Sequence, residues 1–97
     1  MQGEIQKIES ALRDVIDFEV GLDVVALGLI REVADQGEHI QITMILTSPM
    51  CPMASFMMQQ VHERASEVTD REVQVVLGTE RWTPEMMEQE ARDALGI

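Results

Sequence analysis

Basic residues are scarce in this chain: seven Lys and Arg stand against eighteen Asp and Glu, a formal net charge of −11. The phosphate attraction that dominates binding to nucleic acids and anionic membranes needs a basic surface, so no nucleic-acid or membrane partner is expected. Cysteine occurs once, at Cys51, which excludes an internal disulfide. With only two scattered histidines beside it, a closed four-ligand zinc site is excluded as well. No apolar run approaches the ~20 residues that cross a bilayer, and the opening Met-Gln-Gly-Glu has no signal-peptide pattern. A cytoplasmic location is the expectation. Gly21 and Gly28 are isolated, so no glycine-rich phosphate loop is present. Aromatics are limited to Phe18, Phe56 and Trp82, and eight methionines partly fill that gap. Adaptable core packing is the usual use of such methionines; a soft metal site or a pliable binding surface is the rarer one.

Ninety-seven residues suit one domain, expected over residues 1–97, with a two-layer core. Residues 4–16 carry Ile5, Ile8, Ala11 or Leu12, and Val15 at helical spacing. Asp17 to Asp23 then breaks the period, with three carboxylates and a glycine in seven residues. The plain reading is a solvated loop in which Asp17 or Asp23 caps a turn. The functional reading has Asp17 and Glu19 lining a site as metal ligands, acids or hydrogen-bond acceptors. Val24 to Gly28 reads as a tight turn, with the glycine allowing a left-handed or closely packed backbone. A strand over 29–34 follows, then a turn at 35–38, then a strand over 39–46 paired back as a hairpin. In the second strand Ile40, Ile42, Met44 and Leu46 share one face, opposite Thr43 and Ile45. Met53 to Val68 reads as a helix. Residues 72–77 form a third strand, with Val73, Val75 and Leu77 directed inward. Thr83-Pro84-Glu85 is a helix start of capping hydroxyl, proline and acid, and Met87, Ala91 and Leu95 supply that helix's buried face. The expected fold is α+β, a two-layer sandwich in the order α-β-β-α-β-α. Its small sheet is mixed or largely antiparallel, with helices on one face and the other face open to water or a partner.

The stretch Thr47-Ser48-Pro49-Met50-Cys51-Pro52 joins the second strand to the second helix. Pro52 suits the first helical position, which sets Cys51 at the N-cap. Free N–H groups and the helix dipole there favour the thiolate, the form that binds soft metals and attacks electrophiles. The alternative is a small buried hydrophobe whose thiol is inert. A Cys–His nucleophile pair is not expected. His62 lies eleven residues from Cys51, ~16 Å along a helix, and His39 opens the preceding strand, ~25 Å from its exit. A lone thiolate leaves a metal or cluster under-coordinated, which favours transient or shared binding over a permanent site.

Three motifs carry a family resemblance. Asp17-Phe-Glu-Val-Gly-Leu-Asp-Val-Val-Ala-Leu-Gly-Leu-Ile30 resembles the Asp-Pro-Glu … Leu-Gly-Leu-Val signature of the PaaD-like, SufT-like metal–sulfur cluster assembly proteins. Met44 to Pro52 is similar to that family's Thr-Leu-Thr-Ser-x-x-Cys-Pro loop. Arg81-Trp-Thr-Pro-Glu-Met86, with Ala91-Arg92 and Leu95-Gly96, resembles its closing motif. The resemblance implies a role in iron–sulfur cluster assembly or delivery, with apoprotein clients or the assembly machinery as partners; the acidic surface and open sheet face would serve such a partner or self-association into a homo-oligomer. It also implies a pocket gathering Asp17, Glu19, Thr47 and Cys51, in which Cys51 ligates iron or a cluster transiently and no cofactor is permanently bound. A non-catalytic adaptor with a structural Cys51 is the competing reading. An enzyme using Cys51 as nucleophile ranks below both, because no base is visible. Departures from the pattern are Phe18 for proline, Ala26 for aspartate, Asp23 for asparagine and Arg81 for proline.

Overall fold

A computed structural model describes residues 2–17, 20–47 and 54–96. The elements run α1 (Gln2–Leu12), β1 (Ile16–Asp17), β2 (Leu22–Asp23), β3 (Ile30–Asp35), β4 (His39–Met44), α2 (Ala54–Ser66), β5 (Glu72–Leu77), a 3-10 turn (Pro84–Met86) and α3 (Gln89–Leu95). The α+β class, the order of the six larger elements and the mixed sheet agree with the sequence reading.

The main sheet has the order β3-β4-β5. The β3–β4 hairpin is antiparallel, with a register irregularity between Ile30 and Glu32. Strands β4 and β5 are parallel, in register from His39 opposite Glu72 to Met44 opposite Leu77. Parallel neighbours need a crossover, and α2 supplies it. Period-two alternation in β4 puts Ile40, Ile42 and Met44 on one face, and all three are fully buried. Helix α1 packs on α2 and β3, and α2 packs on β5. Ile8 and Leu12 of α1 and Met57, Val61 and Ala65 of α2 close the core over that face. The opposite face carries Glu32, Gln41, Thr43 and Gln74. No helix among the described residues is long and apolar enough to cross a membrane.

Several expectations shift. The first helix closes at Leu12, where Arg13, Asp14 and Val15 donate to carbonyls three residues back and tighten the last turn before β1. Val15 remains buried outside the helix. The second helix ends at Ser66, leaving Val68 exposed. The second strand ends at Met44, one rung short of the Ile45 N–H, which donates to the Leu29 carbonyl at 2.8 Å in line with the hairpin register. Leu77 keeps the face of Val73 but is not covered: it is 50 % exposed, whereas Val73 is 4 % exposed. The final helix is broken. Thr83 is extended and its side chain makes no capping bond, and Met87 returns to extended geometry. The Glu88 N–H then donates to the Ala26 carbonyl at 2.9 Å, so α3 begins only at Gln89. Leu95 is exposed, while Met87 and Ala91 are buried as expected.

Candidate functional site

Asp17 to Leu29 is a chain of small closures. Gly21, at φ +84°, reverses the backbone, and the Asp17 carbonyl accepts the N–H groups of Val20 and Gly21. This folds Asp17 against Leu22 in the two-residue ladder β1–β2, a pairing too short to read from the sequence. Asp23 caps the next turn: its Oδ2 accepts the Ala26 N–H at 2.9 Å. That is the part of the plain reading the structure supports. The solvated part fails for Asp17, which is 4 % exposed and is the only buried polar side chain among the described residues. Burying a carboxylate costs free energy unless polar contacts offset it, and Asp17 has such an interaction.

The Val24–Leu29 turn ends at Gly28, where φ is +76°. A Cβ built on Gly28 would overlap the Met86 carbonyl, so left-handed geometry and close packing both require glycine. The segment 82–88 straps this turn from outside. Trp82 Nε1–H donates to the Leu27 carbonyl at 2.7 Å, and Glu88 N–H to that of Ala26. Arg13 grips the Glu88 carboxylate through two bonds of 2.7 Å and holds it below the usual carboxylate range.

Thr47 follows β4 and is half-buried. It lines a cavity of about 360 Å³ between the chain leaving β4 and the chain leaving β5. Ile45, Leu46, Leu77 and Trp82 supply its apolar wall, and Glu80 and Arg81 lie at its polar side. Glu80 is paired with Arg31 at 3.0 Å, and Arg31 also donates to the Gly28 carbonyl. Asp17 is not among the described residues lining this cavity. Glu19, Cys51 and the Cys51 N-cap geometry lie outside the described residues. Among the described residues, no group of three His, Cys, Asp or Glu side chains is arranged to hold a metal ion. His62 is exposed on α2, and His39 opens β4 at the end opposite Thr47. Trp82 thus does more than fill space, since its indole N–H ties the link after β5 to the Val24–Leu29 turn, a role that no pattern in the sequence signals.

A family model described as iron–sulfur cluster assembly protein matches residues 5–77. The chain is 40 % identical over 96 residues to the Fe-S protein maturation auxiliary factor YitW of Bacillus subtilis, covering 95 % of this chain and 93 % of that one. It is 39 % identical over 87 residues to the Fe-S protein maturation auxiliary factor SufT of Staphylococcus aureus, covering 86 % and 98 %. The chain belongs to the SufT-like family of iron–sulfur protein maturation factors. A crystal structure of a domain of unknown function from Bacillus anthracis is 36 % identical, with a TM-score of 0.88 over 99 % of this chain and 94 % of that one. In this SufT-like chain the family match stops at Leu77, so the strap carrying Trp82 and Glu88 lies beyond it.

Proposed function

We propose that this SufT-like chain assists the maturation of iron–sulfur proteins by handing iron or a cluster to apoprotein clients in the cytoplasm, with Cys51 as a transient thiolate ligand. Thr47 hydrogen-bonds near the sulfur, and Asp17 and Glu19 shape the pocket or contact the metal. The observation that carries the residue roles is the burial of Asp17: among the described acids of a strongly acidic chain, this carboxylate is taken out of water in the loop whose motif resembles the family's. A buried carboxylate in a defined loop is a positioned acceptor rather than part of a solvated surface. Transfer requires ligand exchange alone: the iron–sulfur bond to Cys51 is replaced by one to a client thiolate, and no electron changes hands.

The test is anaerobic reconstitution of the reduced protein with iron and sulfide, followed by incubation with an apoprotein client. Uptake and transfer by wild type, absent in Cys51→Ser and reduced in Asp17→Asn, are the expected results. Equal failure of wild type and Cys51→Ser to take up iron sinks direct carriage. A second reading draws on the scarcity of ligands, since one cysteine cannot complete a cluster's coordination. In that reading the chain is a non-catalytic adaptor within a larger maturation complex, and Cys51→Ala binds its partner and supports client maturation normally.

A further inference from the structure

We propose that the cleft where β4 and β5 part company binds an extended segment of a partner polypeptide, an aliphatic side chain followed by a single carboxylate. The two strands stay in register to Met44 and Leu77, and their last rung is Gly78 N–H to the Met44 carbonyl at 2.8 Å. Beyond that rung no further backbone bond joins the two strands among the described residues: Ile45 continues the hairpin register with a bond to Leu29, and Trp82 is tied to Leu27. In open α/β sheets ligands bind in the crevice outside the carboxyl ends of parallel strands, and the carboxyl ends of β4 and β5 offer a crevice of that kind. Here the crevice is the cavity of about 360 Å³, near the lower end of the ~300–1,000 Å³ common for binding pockets.

Three features of the cleft select an extended peptide. Its backbone is open to pairing: among the described residues, the N–H groups of Leu46, Thr47, Thr79, Glu80, Arg81 and Trp82 make no backbone–backbone hydrogen bond. A strand lying along such a segment gains main-chain bonds, while its side chains enter pockets. The cleft has an apolar wall, and Leu77 within it is 50 % exposed. Charge decides the third feature. At this cleft Arg31 is held by Glu80, whereas Arg81, exposed beside it, has no ion-pair partner among the described residues, a condition shared by Lys7 and Arg92, which do not line the cleft. A net charge of −11 repels an acidic tract, but that field is screened beyond ~8 Å in physiological salt. One carboxylate placed on Arg81 is therefore favoured, and a run of them is not. The maturation reading enters only in taking the partner to be a client or a component of the assembly machinery.

The probe is a pool of blocked hexapeptides with a fixed Leu-Asp core and randomised flanks, titrated into the full chain. Amide chemical shifts and the emission of Trp82, the chain's single tryptophan, are followed. Shifts confined to Leu46, Thr47 and Thr79–Trp82 are expected. Replacing the peptide aspartate by asparagine, or Arg81→Glu, should each weaken binding about tenfold, and Arg81→Lys should retain most of the carboxylate preference. Cys51→Ser should bind the pool as wild type does, so that loss of cargo uptake and loss of peptide binding are separate results. The proposal is overturned by an absence of shifts at about 1 mM peptide, or by equal binding of the aspartate and asparagine pools. Shifts that track protein concentration without peptide would mean that a second copy of the chain fills the cleft, which also overturns it.

Discussion

The two ends of the main sheet are built to opposite rules. At the end where β3 runs out and β4 and β5 begin, Arg71 ties three parts of the chain together. Its guanidinium donates to Glu4 of α1, to both Asp35 oxygens and to the Gly37 carbonyl. Thr69 adds a hydroxyl bond to Glu4 at 3.0 Å. At the other end the parallel strands separate, Leu77 is half-exposed, and Arg81 has no ion-pair partner among the described residues. The same sheet is thus latched at one edge and left unfilled at the other. Ion pairs between partly exposed groups contribute modestly one by one, and geometry and networking make this latch more than a set of isolated pairs. The lesson is that stability is concentrated away from the face where the chain has surface to offer.

The largest effect is expected at the point where the open end is nonetheless anchored. Gly28→Ala forces a side chain into left-handed geometry and against the Met86 carbonyl. Backbone strain and overpacking together should cost about 3 kcal/mol, read as a lower denaturation midpoint. If Gly28→Ala proved neutral, the strap over the Val24–Leu29 turn would not be rigid, and the cleft would have a movable wall. Trp82→Phe removes one donor and leaves the Leu27 carbonyl without it. The expected loss is about 1–2 kcal/mol, with peptide binding weakened alongside it because Trp82 also forms the cavity wall.

The latch is tested by acid. Hydrogen bonds from Arg71, then from the Gly37 N–H, lower the Asp35 carboxyl to about 2, and Arg71 followed by Thr69 lowers that of Glu4. Their unfolded values are about 3.9 and 4.3. Because the folded values are depressed, the stabilisation is fully present above about pH 4 and is lost as pH falls toward 2. Arg71→Ala should flatten that part of the stability–pH profile and leave the peptide cleft unaffected. An unchanged acid limb in Arg71→Ala would remove the contrast between the two ends.

What could be read from the sequence follows from the range of the interactions involved. Strands β4 and β5 and helix α2 are set by alternation or helical spacing of their own residues, and these were legible, as was the hairpin turn. Alternation names a face but not how far the facing helix extends, which is why Leu77 keeps its face yet is left uncovered while Val73 is buried. The break before α3 depends on Glu88 bonding Ala26, sixty-two positions earlier, and no local pattern encodes it. In the loop motif, the carboxylates read as surface residues because acids usually are. Burial of Asp17 arises from β1–β2 pairing across Gly21, a closure visible only in three dimensions. The cavity at Thr47 is made by two irregular segments some thirty residues apart, each unremarkable alone.

The smallest effect sharpens the comparison most, because it lies within one strand. Val73 and Leu77 share a face of β5, with Val73 at the latched end and Leu77 at the open one. Val73→Ala empties packed core and should cost about 2 kcal/mol. Leu77→Ala removes a larger side chain, yet half of it already faces water. Its effect on stability should stay within about 0.5 kcal/mol, as for surface changes away from packed features. Transfer arguments based on side-chain size alone predict the reverse order, with leucine costing more than valine. Denaturant melts of the two variants decide between these orders. If Leu77→Ala leaves stability intact and still weakens the peptide pool, the exposed leucine serves the cleft and not the fold. A large loss in Leu77→Ala would instead mean that the two strands are clamped to their ends, and that the cleft is part of the core.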